Sequence, residues 1–292
     1  MARSLRTSSA LPAAVVVTAA PLLAACGGGN GDAPWIPLAD ERGSGARIAE
    51  LVGEPGWLDP DDEDSDRCAV PPDRRAHVTG ATLVAIDRFD ETGEGAHGNH
   101  YVQDLADEPV AYSGITVFQP AFSPPDLRLV PGDVVDLSGM LTEFLGPSSG
   151  RFGDCRTLPE IGGTMSFRFE DRPPRPIRVP LDDLKRYASA RRYIGMLVRV
   201  EGIKIARDPS SSGGRYTASI NVGAGVPAAD VPSLSNELYD LEAEGPPLAA
   251  GATFRSVTGV LTYFYGFKIA PRCPADFQAE GAPLPVDDAC AP

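Results

Sequence analysis

Two parts of the chain repeat the same alternation of apolar and polar residues. In each part, runs of β-branched and apolar residues alternate with polar ones and are interrupted by Gly, Pro and Asp. This pattern is typical of short strands joined by turns. The runs lie at 78–86, 101–104, 114–118 and 131–144 in the first copy, and at 195–205, 216–222 and 254–264 in the second. We therefore predict an all-β protein with two similar domains.

The repeat also predicts the architecture of each domain. Ser138-Gly139-Met140-Leu141-Thr142 aligns with Thr258-Gly259-Val260-Leu261-Thr262. A glycine inside a strand fits the sharp bend that a small closed barrel needs. Four or five strands and one long connection in about 100 residues suit a five-stranded Greek-key barrel. We predict two such barrels in tandem, at 74–177 and 178–280, followed by a tail at 281–292.

The N-terminus has the layout of a secretory signal. Arg3 and Arg6 precede an apolar run from Leu11 to Leu23, which is shorter than the ~20 residues of a membrane span. The segment Leu23-Ala24-Ala25-Cys26 resembles the lipobox of bacterial lipoproteins. The resemblance implies that residues 1–25 are removed and that Cys26 carries a lipid. It places the protein in the cell envelope, anchored to the outer membrane or cell surface and facing the periplasm or the exterior.

Residues 26–73 are rich in Gly, Asp and Pro and lack sustained periodicity, which predicts a flexible, disordered acidic tether. The run from Asp59 to Asp66 offers oxygen ligands for calcium. It lacks the glycine and the glutamate that an EF-hand loop requires at its sixth and twelfth positions. A solvated linker explains the run better than a calcium site.

Charge is distributed unevenly along the chain. The whole sequence carries −14, and removal of Arg3 and Arg6 with the signal leaves −16. Such a chain is expected to avoid nucleic acid and anionic headgroups unless its charges are segregated. Residues 168–207 contain eleven basic and five acidic side chains, so a basic segment lies within an otherwise acidic protein.

Several of the strand motifs carry a family resemblance. Tyr101 to Asp104, the run Gly114-x-x-Val117, and Gly132-Asp133-x-Val135 together resemble OB-fold domains attached to secreted and surface bacterial nucleases. Asp183-Leu184 before Gly195-Met196-Leu197-Val198 resembles OB-like modules of bacterial lipoproteins. No remaining segment is long enough for a catalytic nuclease domain. The resemblance therefore implies the fold but not nuclease activity.

Four cysteines remain besides Cys26. An even number in an exported chain suggests disulfides, with three possible connectivities. Given the barrel fold that the resemblance implies, we expect Cys68, just before the first strand, to pair with Cys155, just after the fifth. Cys273 and Cys290 would then pair locally and fix the tail.

The basic segment supplies the candidate anion-binding residues. Three tyrosines nearby, Tyr187, Tyr193 and Tyr216, are candidates for stacking on bases, as OB barrels stack single strands. A solvated face paired with acids of the other barrel explains the same pattern. The candidate residues for anions or nucleic acid are Lys185, Arg186, Arg191, Arg192, Arg199, Lys204 and Arg207.

Three further motifs have ordinary structural explanations. The run at 146–150 matches G-x-S-x-G, but no histidine follows His100, so a turn fits better than a nucleophile elbow. His97, His100 and Asp104 offer metal ligands on a loop that does not preorganise them. Tyr263, Tyr265 and Phe267 share one parity, which core packing explains. We expect no enzyme, no cofactor and no metal.

The sequence thus predicts a non-catalytic envelope lipoprotein that presents two OB-like barrels as a binding or scaffolding module. We expect membrane attachment through the lipid and a protein or glycan partner; the net charge disfavours nucleic acid. The alternative is an accessory protein, related to secreted nucleases, that binds single-stranded nucleic acid or another polyanion.

Overall fold

The computed structural model describes residues 45–56, 70–89, 98–153, 155–170, 172–284 and 290. The signal segment, Cys26, Cys68 and His97 lie outside these residues. Two helices are α1 (Ile48–Val52) and α2 (Tyr187–Ala190), and 3₁₀ turns lie at Leu181–Lys185, Arg191–Tyr193, Ala228–Asp230 and Pro274–Asp276. The strands are β1 (Arg74–Ile86), β2 (His100–Asp104), β3 (Gly114–Ser123), β4 (Val134–Phe144), β5 (Leu158–Phe169), β6 (Ile177–Arg178), β7 (Leu197–Lys204), β8 (Ser210–Ser212), β9 (Arg215–Ser219), β10 (Ser233–Ser235), β11 (Thr253–Tyr263), β12 (Phe267–Ala270) and β13 (Phe277–Gln278).

The first sheet is a closed five-stranded barrel with the OB-like order β1-β2-β3-β5-β4. β3 and β5 run parallel, and the other neighbours run antiparallel. β1 is long enough to pair with β4 along its first half and with β2 along its second. The register shifts between Val78 and Ala81, where Gly80 adopts a positive φ of 68°, so the strand bends and closes the barrel.

The second sheet has eight strands rather than five. Its path is β6-β7-β11-β12-β10-β9-β8, and β13 pairs with the outer part of β11. β10 and β12 are parallel, as β3 and β5 are in the first sheet. The all-β prediction therefore holds, whereas a second barrel of five strands is not confirmed.

Each sheet encloses its own apolar core. Leu83, Leu137 and Met165 are among the fully buried side chains of the first core. Val198, Leu234 and Ile269 belong to the second, larger core, to which α2 contributes Tyr187. Residues 34–292 form one compact unit, so the two sheets belong to one body.

Part of the predicted tether packs on the first barrel. Ile48 of α1 is fully buried and Val52 is nearly so, both in the core of that barrel. Asp104 accepts hydrogen bonds at both carboxylate oxygens, from the backbone N–H of Ile48 (2.8 Å) and of Ala49 (3.0 Å). The prediction of a disordered tether is therefore wrong for residues 45–56. Burial of two apolar residues spaced four apart and the hydrogen bonds to Asp104 together dock it.

The repeated Ser/Thr-Gly-x-Leu-Thr motif marks the same close approach in both sheets. A Cβ built on Gly139 of β4 would lie 2.1 Å from the carbonyl oxygen of Gly162 in β5. A Cβ on Gly259 of β11 would lie 2.6 Å from the carbonyl oxygen of Ala270 in β12. Both glycines therefore allow one strand to lie tightly against the next.

Cys273 and Cys290 form a disulfide with a Cα–Cα distance of 6.0 Å, the pairing expected from the sequence. Cys155 is disulfide-bonded as well. Cys155 lies before β5 (Leu158–Phe169), in the β4–β5 connection, so the expectation that it follows the fifth strand is wrong. Its expected partner, Cys68, lies outside the described residues, so that pairing stays a prediction.

Within the described ranges, no helix has the length and apolar character needed to cross a bilayer.

Candidate ligand-binding face

The outer face of the first barrel is covered by the second sheet at β1 and β2. Val84 and Tyr101 pack against Leu197 of β7 and Val260 of β11. Gln103 fixes the contact with its side-chain amide, which accepts a hydrogen bond from Leu197 N–H at 2.9 Å and donates to the carbonyl of Arg175 at 3.1 Å.

The cover extends to the start of β3. A Cβ on Gly114 would lie 2.5 Å from the backbone nitrogen of Met196. OB folds bind oligonucleotides and oligosaccharides on the face of their second and third strands. In the first barrel that face is closed by the protein itself at β2 and the start of β3.

The second sheet has a partly exposed outer face at β9, β10 and β12. Ala218, Leu234 and Ile269 point into the core. Their neighbours Ser219, Ser233 and Lys268 point outward and are partly exposed. Ser233 lies opposite Ser219 on one side and Lys268 on the other. A row of hydroxyl and ammonium groups thus crosses three strands. We call this surface, with Arg207, Arg215, Thr217, Phe264 and Tyr265, the polar face.

A buried carboxylate fixes the cations of the polar face. Glu237 is 4% exposed, and its Oε1 lies 2.8 Å from Lys268 Nζ and 4.0 Å from Arg215 Nη1. Its Oε2 accepts a hydrogen bond from Thr262 Oγ1 at 2.7 Å. Because Glu237 is held on both oxygens, Lys268 and Arg215 are positioned at the surface before any ligand arrives.

Aromatic rings flank these cations on both sides. The Arg215 guanidinium lies 3.9 Å from the centre of the Phe89 ring, a close cation–π contact. Lys268 Nζ lies 5.9 Å from the ring of Phe264. Phe264 and Tyr265 are 45% and 47% exposed at the β11–β12 hairpin. The contacts therefore run in sequence from aromatic to cation to carboxylate to cation to aromatic.

The hairpin that carries these aromatic residues is held against the first barrel. The Tyr265 hydroxyl donates to the carbonyl of Gly150, and Phe152 contacts the rings of Phe264 and Tyr265 edge-on, at 5.8 and 5.1 Å. Tyr265 has a positive φ of 53°, which places its side chain at the tip of the turn. The prediction of core packing is correct for Tyr263 and Phe267, which are buried, but wrong for Tyr265, which is 47% exposed.

The residues predicted to bind anions do not form one site. Arg191 is buried and its Nη2 lies 3.0 Å from Glu143 Oε2, so it is an internal ion pair rather than a ligand-binding side chain. Arg199 is 5% exposed and donates through Nε to Thr258 Oγ1. Lys185 pairs with Asp182 at 2.7 Å.

The other predicted cations are dispersed. Arg186 is exposed and Arg192 partly exposed, both in the helical connection before β7, while Lys204 is exposed at the end of β7. Arg207 belongs to the polar face, because its Nε donates to Ser219 Oγ at 3.1 Å. Clustering in sequence did not produce clustering in space.

Two of the three proposed stacking tyrosines, Tyr187 and Tyr193, are also internal. Tyr187 is fully buried, and its hydroxyl donates to the carbonyl of Thr157 at 2.5 Å; Tyr193 is 9% exposed. Tyr216 packs partly against the core. The exposed aromatics Phe264 and Tyr265 were available to sequence reasoning, since they occupy a turn between two strands.

The remaining motifs have structural roles. Residues 146–150 lie in the β4–β5 connection, where Gly150 N–H donates to the carbonyl of Pro147 in a turn. His100 is 2% exposed, with Nδ1 3.0 Å from the carbonyl of Gly98. Burial raises the pKa of Asp104, while its two backbone N–H partners favour the charged form. No group of three His, Cys, Asp or Glu side chains suited to a metal is found among the described residues.

Comparison with known proteins adds little. No family model and no curated protein matches the sequence. Among solved structures, the chain is similar to the single-stranded DNA binding protein from Thermus aquaticus, at 12% identity and a TM-score of 0.21, over 73% of this chain and 95% of that one. At that TM-score the likeness carries no argument about function.

Proposed function

We propose that this chain is a non-catalytic binding protein of the bacterial cell envelope, held to a membrane by a lipid on Cys26. In this proposal two OB-like barrels form one rigid body that presents the polar face to a protein or glycan partner. The observation that carries the proposal is the contrast between the two sheets. The outer face of the first is closed at β2 and the start of β3, whereas that of the second keeps partly exposed side chains at β9, β10 and β12.

The strand connections support a second OB-like barrel inside the second sheet. The sequence β7-β11-β12-β10-β9 corresponds to β1-β4-β5-β3-β2 of the first barrel, including the parallel pair. A bridge between Ile205 and Ile220 joins the ends of the two outer members, β7 and β9. Backbone N–H groups of Ala206 and Asn221 add bonds of 2.8 and 2.7 Å there. In this view β6, β8 and β13 are additions to a five-stranded barrel.

The membrane anchor is tested with the full-length chain expressed in a bacterium that processes lipoproteins. We expect incorporation of labelled palmitate into the wild type and none into Cys26→Ser. A Cys290→Ser variant controls for other cysteine chemistry and is expected to keep the label. Labelling that persists in Cys26→Ser would contradict the anchor.

The binding role is tested on the same full-length chain through the exposed aromatics. A Phe264→Ala, Tyr265→Ala double variant is expected to lose retention on immobilised envelope glycan or crosslinking to its partner. A Val110→Ala, Val130→Ala variant, which also removes two exposed apolar side chains, is expected to keep both. Equal loss in the two variants would contradict a role for the polar face.

A single-stranded polyanion is the second candidate ligand. It is favoured by the juxtaposition of Arg207, Arg215 and Lys268 with exposed aromatic rings, the combination that stacks bases and neutralises phosphates. It is opposed by the acidic net charge of −14 and by Glu237, which already compensates two of those cations.

Fluorescence anisotropy with labelled single-stranded DNA across a salt series decides between the two ligand classes. Affinity that falls steeply with salt and is lost in Lys268→Gln, Arg215→Gln, but not in Lys185→Gln, Arg186→Gln, would establish the polyanion. Absence of binding at low salt would exclude it and leave the protein or glycan partner.

A further inference from the structure

A second candidate site lies away from the polar face, where the two sheets meet. The cleft has a volume of about 430 Å³ and is bounded by the β2–β3 connection, the segment that joins the sheets, and β6 with β7. That volume falls within the range of small-molecule and peptide sites. Its lining residues are Asp107, Glu108, Pro109, Arg175, Pro176, Ile177, Arg178, Arg199 and Leu284.

Three arginines form one wall of this cleft. Arg178 of β6 lies directly opposite Arg199 of β7 in the parallel register, so the two side chains share one face. Arg199 is 5% exposed and oriented by Thr258 Oγ1, whereas Arg178 is largely exposed and lies 3.8 Å from the exposed Glu201. Arg175 Nη1 reaches the carbonyl of Asp107 at 3.4 Å. Planar guanidinium groups that line one cleft suit bidentate binding of an oxyanion.

The rest of the lining restricts which oxyanion fits. Among the lining residues, Asp107 and Glu108 offset two of the three positive charges, which leaves one in excess. Glu201 lies outside the lining, and its 3.8 Å pair with Arg178 is between two solvent-exposed side chains, so it compensates little. A monoanionic group matches that excess, while a phosphate dianion would be repelled by the two carboxylates. Pro109, Pro176, Ile177 and Leu284 supply apolar surface beside the arginines. A carboxylate attached to an apolar side chain satisfies both requirements.

We propose that this cleft binds the free C-terminal carboxylate of a peptide segment whose last residue is apolar. The carboxylate would lie against Arg178 and Arg199, and the terminal side chain against Ile177 and the prolines. Capture of a chain terminus by converging donors is an established mode of peptide recognition. The site shares no residue with the polar face. The result of its test is therefore independent of the test of the function proposed above.

The test uses full-length protein and a fluorescently labelled pentapeptide, Gly-Ser-Gly-Ala-Leu, in free-acid and C-terminally amidated forms. We expect the free acid to bind at least about tenfold more tightly than the amide, because the charge-assisted hydrogen bonds require the carboxylate. Arg178→Gln is expected to weaken the free acid about tenfold and to leave the amide unchanged. Lys268→Gln, on the polar face, is the matched control and is expected to bind like the wild type.

Arg178 is chosen because it is exposed, so its replacement leaves the fold intact. The binding of Arg199→Gln is interpreted only if the circular dichroism spectrum of that variant matches the wild type. Equal affinity for acid and amide would overturn the proposal. So would absence of binding at about 1 mM peptide, or an Arg178→Gln variant that binds as the wild type does. Displacement of the peptide by phosphate at lower concentration than by acetate would also contradict it.

Discussion

Glu143 and Arg191 form a buried ion pair that joins the two sheets. Arg191 Nη2 donates to both carboxylate oxygens of Glu143, at 3.1 and 3.0 Å, and both side chains are at most 2% exposed. Thr157 Oγ1 donates to Glu143 Oε2 and accepts from Arg191 Nη1. The pair therefore lies within a closed hydrogen-bond network between β4 and the helical connection before β7.

Removal of Arg191 is expected to destabilise the protein strongly. Arg191→Gln leaves the Glu143 carboxylate buried without its counter-charge, which costs about 3–5 kcal/mol. For a body of this size we expect Tm to fall by roughly 6–15 °C in a thermal scan. Arg186→Gln, an exposed arginine five residues earlier, is the control and is expected to change Tm little. Equal Tm for Arg191→Gln and wild type would contradict the role of the pair.

The close approach of β4 and β5 predicts that Gly139 tolerates no side chain. In Gly139→Ala the new Cβ would overlap the carbonyl of Gly162, so the two strands must separate. We expect a loss of about 2–3 kcal/mol in denaturant unfolding. Gly162→Ala is the matched control from the partner strand, because a Cβ there meets nothing within 4 Å. If the control were destabilised as much as Gly139→Ala, the cause would be strand propensity rather than close approach.

The burial of Glu160 predicts that replacing its carboxyl stabilises the protein, by an amount that depends on pH. Although it keeps some exposed surface, burial between Thr116 of β3 and Thr142 of β4 raises the pKa of its carboxyl to about 8. A raised pKa disfavours the charged form in the folded state. The cost of ionising Glu160 thus grows as the pH rises from the ordinary glutamate pKa of 4.5 toward 8.

Glu160→Gln is therefore expected to stabilise the protein at pH 7, by about 1–3 kcal/mol in urea unfolding. The gain should disappear below about pH 4.5, where the wild-type carboxyl is protonated in both states. Glu170→Gln, at an exposed glutamate, is the control and should show no such trend. A Glu160→Gln gain that persists at pH 4 would show that the cause is packing rather than charge.

The two hydrogen bonds to Asp104 predict that residues 45–56 are held less firmly on the first barrel when Asp104 is replaced. Asp104→Ala removes both acceptors for the N–H groups of Ile48 and Ala49, at a cost of about 1–2 kcal/mol. We expect faster hydrogen–deuterium exchange in a peptide covering 45–56, with little change in β11. Asp126→Ala, an exposed aspartate, is the control. Unchanged exchange in Asp104→Ala would mean that the burial of Ile48 and Val52 alone holds the segment.

The period-two alternation within each copy was sufficient to predict the β class and four of the five strands of the first barrel, β1 to β4. Local alternation determines which face of a strand is apolar, and Gly and Pro determine where it ends. The same local signals missed the docking of α1, because two apolar residues within a polar segment carry too little periodicity. They also missed β5, whose run contains Pro159, Gly162 and Gly163. The strands β6, β8, β10 and β13 were missed as well, because they are two or three residues long and exist only through pairing with their neighbours.

The candidate site depended much more on tertiary structure. The sequence places Arg191, Arg192 and Arg199 close together, yet folding buries Arg191 against Glu143 and turns Arg199 toward the cleft. It separates Arg215 from Lys268 by more than fifty residues, yet both contact Glu237.

The sequence by itself determined the β class and the repeat, because both follow from alternation and turn residues a few positions apart. Which faces stay open was decided only by the packing of one sheet on the other. That packing depends on contacts such as Gln103 with Leu197 and Glu143 with Arg191, between residues far apart in the chain. No local pattern encodes such contacts, so the partly exposed face of β9, β10 and β12 emerges only in the folded body.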